Sequence, residues 1–289
     1  MRPVPDTPPT RGGRTTTQRA MTPLLHRACK AGHHGAVRGL LLHGADTTDV
    51  DELAGWSALH YASFYGAALS AQLLLDHGAD VNATDRYGTS ALHLAARTGA
   101  DDVARVLVEN GANVCGMTFS DASTPLHEAA FFGHAGVVKR LIDSGVELSL
   151  RDTVCGQTPL HWAAGNGHVE CVVWLVRGWA DVFVRDRAGN SPLHCAVLGP
   201  DAARAEKIVR LLVRAGALLQ TVERNLDGNT PLCMARSAAL GRVLEAYMRQ
   251  GYEVQHQLAA GVIINPPPAV GAAADSPPRQ EARGPERAP

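Results

Sequence analysis

The sequence predicts an all-α fold, a linear array of short helix pairs, and three observations predict it. The histidines His26, His60, His93, His127, His161 and His194 recur at intervals of 34, 33, 34, 34 and 33 residues. A second marker, Gly-Ala-Asp or a close variant, follows each histidine in phase, as in His43-Gly44-Ala45-Asp46, His77-Gly78-Ala79-Asp80, Asn110-Gly111-Ala112-Asn113, Ser144-Gly145-Val146, Gly178-Trp179-Ala180-Asp181 and Ala215-Gly216-Ala217. Between the markers, small and apolar residues fall at helical spacing on either side of a glycine. A period of this size marks units that cannot bury an apolar face alone and must stack on their neighbours.

Along the chain, residues 1–20 come first. They are rich in Pro, Thr, Arg and Gly and offer little apolar surface to offset the entropy of ordering, so a disordered tail is expected. Its arginines, Arg2, Arg11, Arg14 and Arg19, are scattered rather than clustered. The array spans 21–250, with units near 22–51, 52–84, 85–118, 119–152, 153–185, 186–224 and 225–250. Units open on a helix start, such as "SALHYASFYG" from Ser57, "SALHLAARTG" from Ser90, "TPLHEAAFFGH" from Thr124, "TPLHWAAGNGH" from Thr158 and "SPLHCAVLG" from Ser191. A Ser or Thr hydroxyl caps a free backbone N–H there, and proline at the first helical position loses no bond. Alanine pairs such as Ala95-Ala96 and Ala163-Ala164 let a neighbouring helix approach, and Gly66, Gly99, Gly133 and Gly167 break the helix at a tight turn. A second helix follows, with apolar spacing as in Val137, Val138, Leu141 and Ile142, and the marker glycine ends it as a left-handed cap. Segments such as "DVNATDRYG" are long enough for a loop that reaches out and returns.

Departures from the pattern carry expectations of their own. The first unit, "PLLHRACKAGHHGAV" from Pro23, has Arg27 where later units place Tyr61, Leu94, Trp162, Cys195 and Met234, which suits an exposed end. Glu128 breaks the same rule and suggests a partly open seam before the fourth unit. In the sixth unit 22 residues separate His194 from Gly216, against 17 or 18 elsewhere, so "LGPDAARAEK" is expected to hold an extra loop between its helices. The seventh, "TPLCMARSAAL" from Thr230, puts Cys233 in the histidine's place and carries Arg236, Arg242 and Arg249, as a wetted end cap would. A short extension at 251–264 and a second expected disordered tail, the Pro/Ala-rich 265–289, complete the chain.

The T-P-L-H-x-A-A-x-x-G-H core, intact in the fourth and fifth units, resembles that of ankyrin-repeat proteins, and the resemblance covers about Pro23 to Met248. It implies paired antiparallel helices stacked into a curved solenoid with projecting β-hairpin loops. About seven repeats, at about 10 Å per packed layer, give a length of roughly 70 Å and an extended concave surface.

The same periodicity decides what the histidines do. A catalytic residue is needed once, whereas an imidazole at one position of every helix start serves every layer alike, so His26, His60, His93, His127, His161 and His194 are read as structural, hydrogen-bonding the turn and the adjacent repeat. Metal binding through His33-His34, or through His161 with Cys195, lacks a closed four-ligand set. No phosphate-cradling loop, dinucleotide fingerprint, zinc-protease helix or nucleophile elbow occurs. Asp152, Asp186 and Asp227 fall where the family has a hairpin aspartate, which implies a turn role. An enzyme, a cofactor and a metal are therefore not expected. A formal charge of −1 gives no global attraction to nucleic acid or anionic lipid, and no apolar stretch is long enough for a bilayer span. The six dispersed cysteines, with no C-x-x-C pair and no secretory signal, are expected to be reduced in an intracellular, cytoplasmic monomer; the missing basic cluster disfavours the nucleus.

Function then rests on residues the scaffold leaves free: hairpin tips and the last positions of each first helix, which in this architecture face the groove. They are Leu53, Trp56, Phe64 and Tyr65 in the second unit, Arg86, Tyr87, Thr89 and Arg97 in the third, and Asp121, Ser123, Phe131 and Phe132 in the fourth. Gln157, Asn166, Arg187, Asn190, Val197 and Leu198 follow in the fifth and sixth. Six of the chain's 14 aromatics sit at these places, and aromatic anchors flanked by arginine are typical of binding hot spots. The expected partner-binding set is Trp56, Phe64, Tyr65, Arg86, Tyr87, Arg97, Phe131, Phe132, Gln157 and Asn166, used by a non-catalytic scaffold or adaptor that grips a protein partner. The competing reading is that the paired aromatics only stiffen the array. A second function, substrate recognition within a ubiquitin ligase, needs an F-box or SOCS box, and no such segment is seen after Met248. Asn82, in "LLDHGADVN", resembles the hairpin context in which ankyrin asparagines are hydroxylated.

Overall fold

The computed structural model describes residues 16–259, with side chains described for 21–256. Of the expected tails, residues 1–15 and 265–289 lie outside the described residues. Fourteen α-helices run in chain order among those described: α1 (Thr16–Lys30), α2 (His34–Leu42), α3 (Ala58–Phe64), α4 (Ala68–Asp76), α5 (Ala91–Thr98), α6 (Asp101–Glu109), α7 (Pro125–Phe132), α8 (Ala135–Asp143), α9 (Pro159–Gly165), α10 (Val169–Arg177), α11 (Pro192–Ala196), α12 (Ala202–Leu212), α13 (Pro231–Met234) and α14 (Ala238–Ala259). First helices pack on first helices and second on second, α3 on α5 on α7 on α9 and α4 on α6 on α8 on α10, so the pairs form two layers of one stack.

Each layer is built on one leucine seat. Leu59, Leu92, Leu126, Leu160 and Leu193 of the first helices are fully buried, as are Leu74, Leu107, Leu141, Leu175 and Leu212 of the second. Burial of one such side chain contributes about 1.5–3 kcal/mol, which no single helix pair could realise in isolation. Helices of seven to nine residues, too short to persist in water, are therefore held by stacking. Left-handed glycines end the first helices as expected, with Gly99 at φ 73° and Gly133 at φ 81°.

Four features depart from the sequence reading. Helix α1 starts at Thr16, so residues 16–20 are helical and Pro23 lies inside the first helix rather than at its start. The loops between units contain no regular strand among the described residues, only the isolated bridges Val50 with Ser57 and Thr84 with Ser90. A carboxylate replaces the missing ladder bonds, as described below. The extra length of the sixth unit is not a loop between its helices: α12 starts as far from its cap Ser191 as α10 does from Thr158. The four added residues instead prolong the second helix by about one turn, through a π-helical segment Val213–Ala217, because close to 3.6 residues can be added without moving the buried face far. Finally, α14 runs unbroken for 22 residues through the boundary expected at 250.

The fifth unit breaks the glycine rule at its second cap. Gly178 has φ −76°, and the left-handed residue is Trp179, at φ 67° and 88% exposed, in the seat that Gly78, Gly111 and Gly145 hold elsewhere. A Cβ on Gly178 would come 3.0 Å from Ile142 Cγ2 and 3.2 Å from Leu148 Cδ1, so this position is short of room for a side chain.

Candidate protein-binding face

The histidines are resolved first, because they set the register of the face. At His60, His93, His127, His161 and His194, Nδ1 accepts the backbone N–H of the cap residue three positions earlier and lies 2.8–2.9 Å from its hydroxyl. A backbone N–H can only donate, so Nδ1 is unprotonated and Nε2 carries the hydrogen. Nε2 then donates across the seam, His60 to the Thr89 carbonyl, His93 to Ser123, His127 to Gln157 and His161 to Asn190, at 3.1–3.2 Å. In each case the acceptor is the residue just before the next cap. His26 Nε2 lies 3.3 Å from the Asp49 carbonyl, an acceptor eight residues before the next cap, so the first seam is bridged in a different register. His194 Nε2 is buried and faces Asn229, the equivalent acceptor, without a bond of normal geometry, and Cys233 in the next unit accepts from the Thr230 hydroxyl through sulfur. Burial pushes every one of the six imidazoles below its ordinary range, His161 to about 4.

Turn carboxylates shape the tips. Asp85 Oδ1 accepts from the N–H groups of Tyr87 and Thr89, Asp152 Oδ1 from Cys155 and Gly156, and Asp186 Oδ1 from Ala188 and Asn190. In the last loop this role belongs to Asn225, which accepts from Asn229 N–H, while Asp227 is exposed. One backbone bond joins each tip to the one before: Arg86 to Ala54, Phe119 to Tyr87, Thr153 to Asp121, Arg187 to Cys155 and Leu226 to Ala188. The tips thus stand in file along one edge of the stack.

The expected binding residues divide on this frame. Tyr65, Tyr87, Phe131 and Phe132 are 43–62% exposed, although each is fixed in a helix end or turn. Phe131 and Phe132 meet edge to face, and Phe131 also leans on Trp162. Arg86 is exposed and lies against Gly55 of the preceding tip. Trp56 and Phe64 are half-buried: the Trp56 indole donates to Asp85 Oδ2 at 3.1 Å and packs on Tyr61 and Phe64, so these two side chains support the surface. Gln157 donates to Asp186 Oδ2 and Asn166 to the Trp162 carbonyl, which fixes both amides against the array. Thr89 and Ser123 are buried but line the floor of the groove described below, and Val197 is buried in the core.

Arg97 and Glu128 correct the expectation of an open seam. The guanidinium forks onto the carboxylate with Nε–Oε2 3.0 Å and Nη2–Oε1 2.9 Å, and Glu128 is 7% exposed. The acid seat is filled by a partner from the previous unit, and Arg97 is a half-exposed brace rather than a free side chain. Between these tips lies a groove of about 340 Å³, lined by Trp56, Asp85, Tyr87, Arg97, Asp121 and Glu128.

Sequence reasoning missed Phe119. It is 75% exposed, and its ring lies so close over Gly88 that a Cβ there would come within 2.7 Å. The signal was position, since Phe119 occupies the site one after the turn acid that Arg86 and Arg187 hold; Thr118 stands at the acid position in this unit and Asp121 is displaced, which hid the register. Asn82 is engaged across a seam: its Oδ1 accepts from Asn113 N–H at 2.7 Å and its Nδ2 donates to the Gly111 carbonyl. Among the described residues no group of three His, Cys, Asp or Glu stands close enough to hold a metal ion, and no helix is long and apolar enough to cross a membrane.

Helix pairs in two layers, a capping imidazole that crosses four successive seams and a file of turn tips define a stacked-repeat solenoid. The chain matches the family model described as ankyrin repeats (3 copies) over residues 25–118, 84–152 and 126–219, and it belongs to the ankyrin-repeat family. Among solved structures it is similar to the human ASB11 ankyrin repeat domain, at 27% identity and TM-score 0.69, covering 77% of this chain and 96% of that one. It is also similar to the ankyrin repeat domain of Bcl-3, described as a unique member of the IkappaB protein family, at 28% identity and TM-score 0.64, covering 76% and 97%. No curated protein sequence matches significantly. Arrays of this family are in general protein–protein interaction modules and typically not catalytic.

Proposed function

We propose that this protein is a non-catalytic scaffold or adaptor that grips a protein partner on the tips and first-helix ends of its second to fourth repeats. The observation that supports this reading is the row Tyr65, Tyr87, Phe119, Phe131 and Phe132, large rings left in water on ordered backbone. Stacking the repeats does not require them there, and exposed aromatics on a rigid frame lose little entropy when a partner covers them. Arg86 and the Arg97–Glu128 brace form the polar rim, Gln157 and Asn166 extend it into the fifth repeat, and Trp56 and Phe64 hold the floor. The setting of this reading is a cytoplasmic monomer.

The test compares the intact chain with a variant in which Tyr65, Tyr87, Phe131 and Phe132 are changed to Ser. Partners recovered from native extract are identified and their affinities measured with purified components. The expected result is at least a tenfold loss of affinity with far-ultraviolet circular dichroism and melting temperature nearly unchanged. Equal recovery by both forms, or a variant that loses binding only because it has unfolded, would refute the assignment.

A further inference from the structure

We propose that the groove between the second, third and fourth tips receives an arginine side chain of the protein partner, an inference that rests on the assignment of these tips as a binding face. The fourth tip sets this groove apart. In other tips the turn acid precedes the helix cap by five or six residues, as Asp85 precedes Ser90 and Asp152 precedes Thr158, and its Oδ1 takes two N–H groups of its own turn. Asp121 precedes Thr124 by only three. Beside it Ala122, at φ 55°, holds the left-handed place that Gly55, Gly88, Gly156 and Gly189 hold elsewhere. The Thr118 and Ser120 hydroxyls and the Ser123 N–H all donate to Asp121 Oδ1, which leaves Oδ2 for a donor from outside the turn. Stacking does not require an acid at this place, since the other tips close without one.

The charges around the groove do not balance. Three carboxylates line it, Asp85, Asp121 and Glu128, with one guanidinium, Arg97. Arg97 is forked onto Glu128, and among the described residues neither Asp85 nor Asp121 forms an ion pair. Asp85 is buried under bonds from Trp56, Tyr87 and Thr89, so it acts on the groove through its field, while half-buried Asp121 offers an acceptor. Tyr87 and Trp56 add ring surface, and Ala54 and Leu94 an apolar wall. Arginine answers each of these demands: its planar cation lies on an aromatic ring, its N–H edge meets a carboxylate, and its methylene stem runs along apolar surface. The ammonium of lysine has no plane to stack and no fork, and an acidic or phosphorylated segment meets repulsion.

The probe is the peptide acetyl-Ala-Ala-Arg-Ala-Ala amide, titrated into the full chain at constant ionic strength. The signals are the Trp56 indole N–H, whose acceptor is Asp85, and the Ser123 amide, which donates to Asp121. Saturable shifts at both are expected, with binding weaker by about tenfold for the citrulline peptide, a neutral isostere, and by about threefold for the lysine peptide. Asp121→Asn and Tyr87→Leu should each weaken the arginine peptide about tenfold with circular dichroism unchanged. No saturable shift, equal binding of the citrulline or lysine peptide, or an affinity that both variants keep overturns the proposal. So does an indole shift that follows protein concentration without peptide, which assigns the groove to a second copy of the chain. With the partner recovered from extract, Asp121→Asn keeps every ring and should again lose about tenfold in affinity. A partner lost by the four-ring variant but held in full by Asp121→Asn overturns the arginine assignment and leaves the binding face standing, whereas a partner held by both overturns both.

Discussion

Replacing His161 with Gln tests whether the repeat imidazoles make stacking depend on acid. His161 is buried and held neutral, with Nδ1 accepting the Thr158 N–H and Nε2 donating to the Asn190 carbonyl, and burial depresses its pKa from 6.5 to about 4. The sign follows from proton counting. Between pH 4 and 6.5 the unfolded chain binds a proton at this residue that the folded chain does not, so stability rises with pH through that window and is fully present above it. The limit of the effect is about 3 kcal/mol, of which about 2.5 kcal/mol falls between pH 7.5 and pH 4.5. At pH 7.5 the Gln variant loses a cap and a cross-seam bond, about 2 kcal/mol together. Urea unfolding followed by circular dichroism at half-unit steps should therefore show a gap of that size at pH 7.5 that closes by pH 4.5. The other histidines and all carboxylates are common to both proteins and cancel in the difference. A gap independent of pH would refute the assignment of the neutral, doubly bonded imidazole.

Two further outcomes follow from side chains that break the repeat pattern. Trp179→Gly should stabilise the chain by about 1 kcal/mol, because relief of left-handed strain of about 1–2 kcal/mol exceeds the entropy cost of glycine, and a higher urea midpoint reads it directly. Arg97→Ala should cost about 2 kcal/mol, since it strands a buried Glu128 carboxylate, whereas Glu128→Leu should be close to neutral because the freed guanidinium can turn to water; equal losses in the two variants would contradict the brace.

Much of the stack was legible because its period repeats every demand. A Ser or Thr cap and the histidine three residues later answer one local requirement, a glycine at the turn answers another, and five copies of the cap and histidine make the answer unambiguous. The illegible parts depend on what the stacking brings together. Glu128 finds Arg97 at a separation of 31 residues, which no local pattern declares. In the sixth unit Gly199-Pro200 reads as a loop, yet the extra residues join the following helix, where a whole turn fits against the same neighbours. Asn225 rather than Asp227 caps the last tip because only the backbone path reveals which side chain reaches the turn amides. At the binding face, exposure was the hidden variable. Trp56 and Tyr87 look alike in sequence, but Asp85 draws in the indole of one and only the backbone of the other.

Each bridging histidine ties the nucleation of a helix in one unit to the docking of the next, so it couples neighbours as a linear chain of spins is coupled. That coupling is weakest at the sixth seam, where His194 reaches Asn229, the equivalent acceptor, without a bond of normal geometry, and the seventh unit starts its helix with a thiol. A boundary between folded and unfolded chain therefore enters at the carboxyl end and advances toward the amino end, halting where an imidazole still bridges. The last unit can melt and re-form while the units bearing the aromatic row remain in register, so length and grip are separate properties of this array.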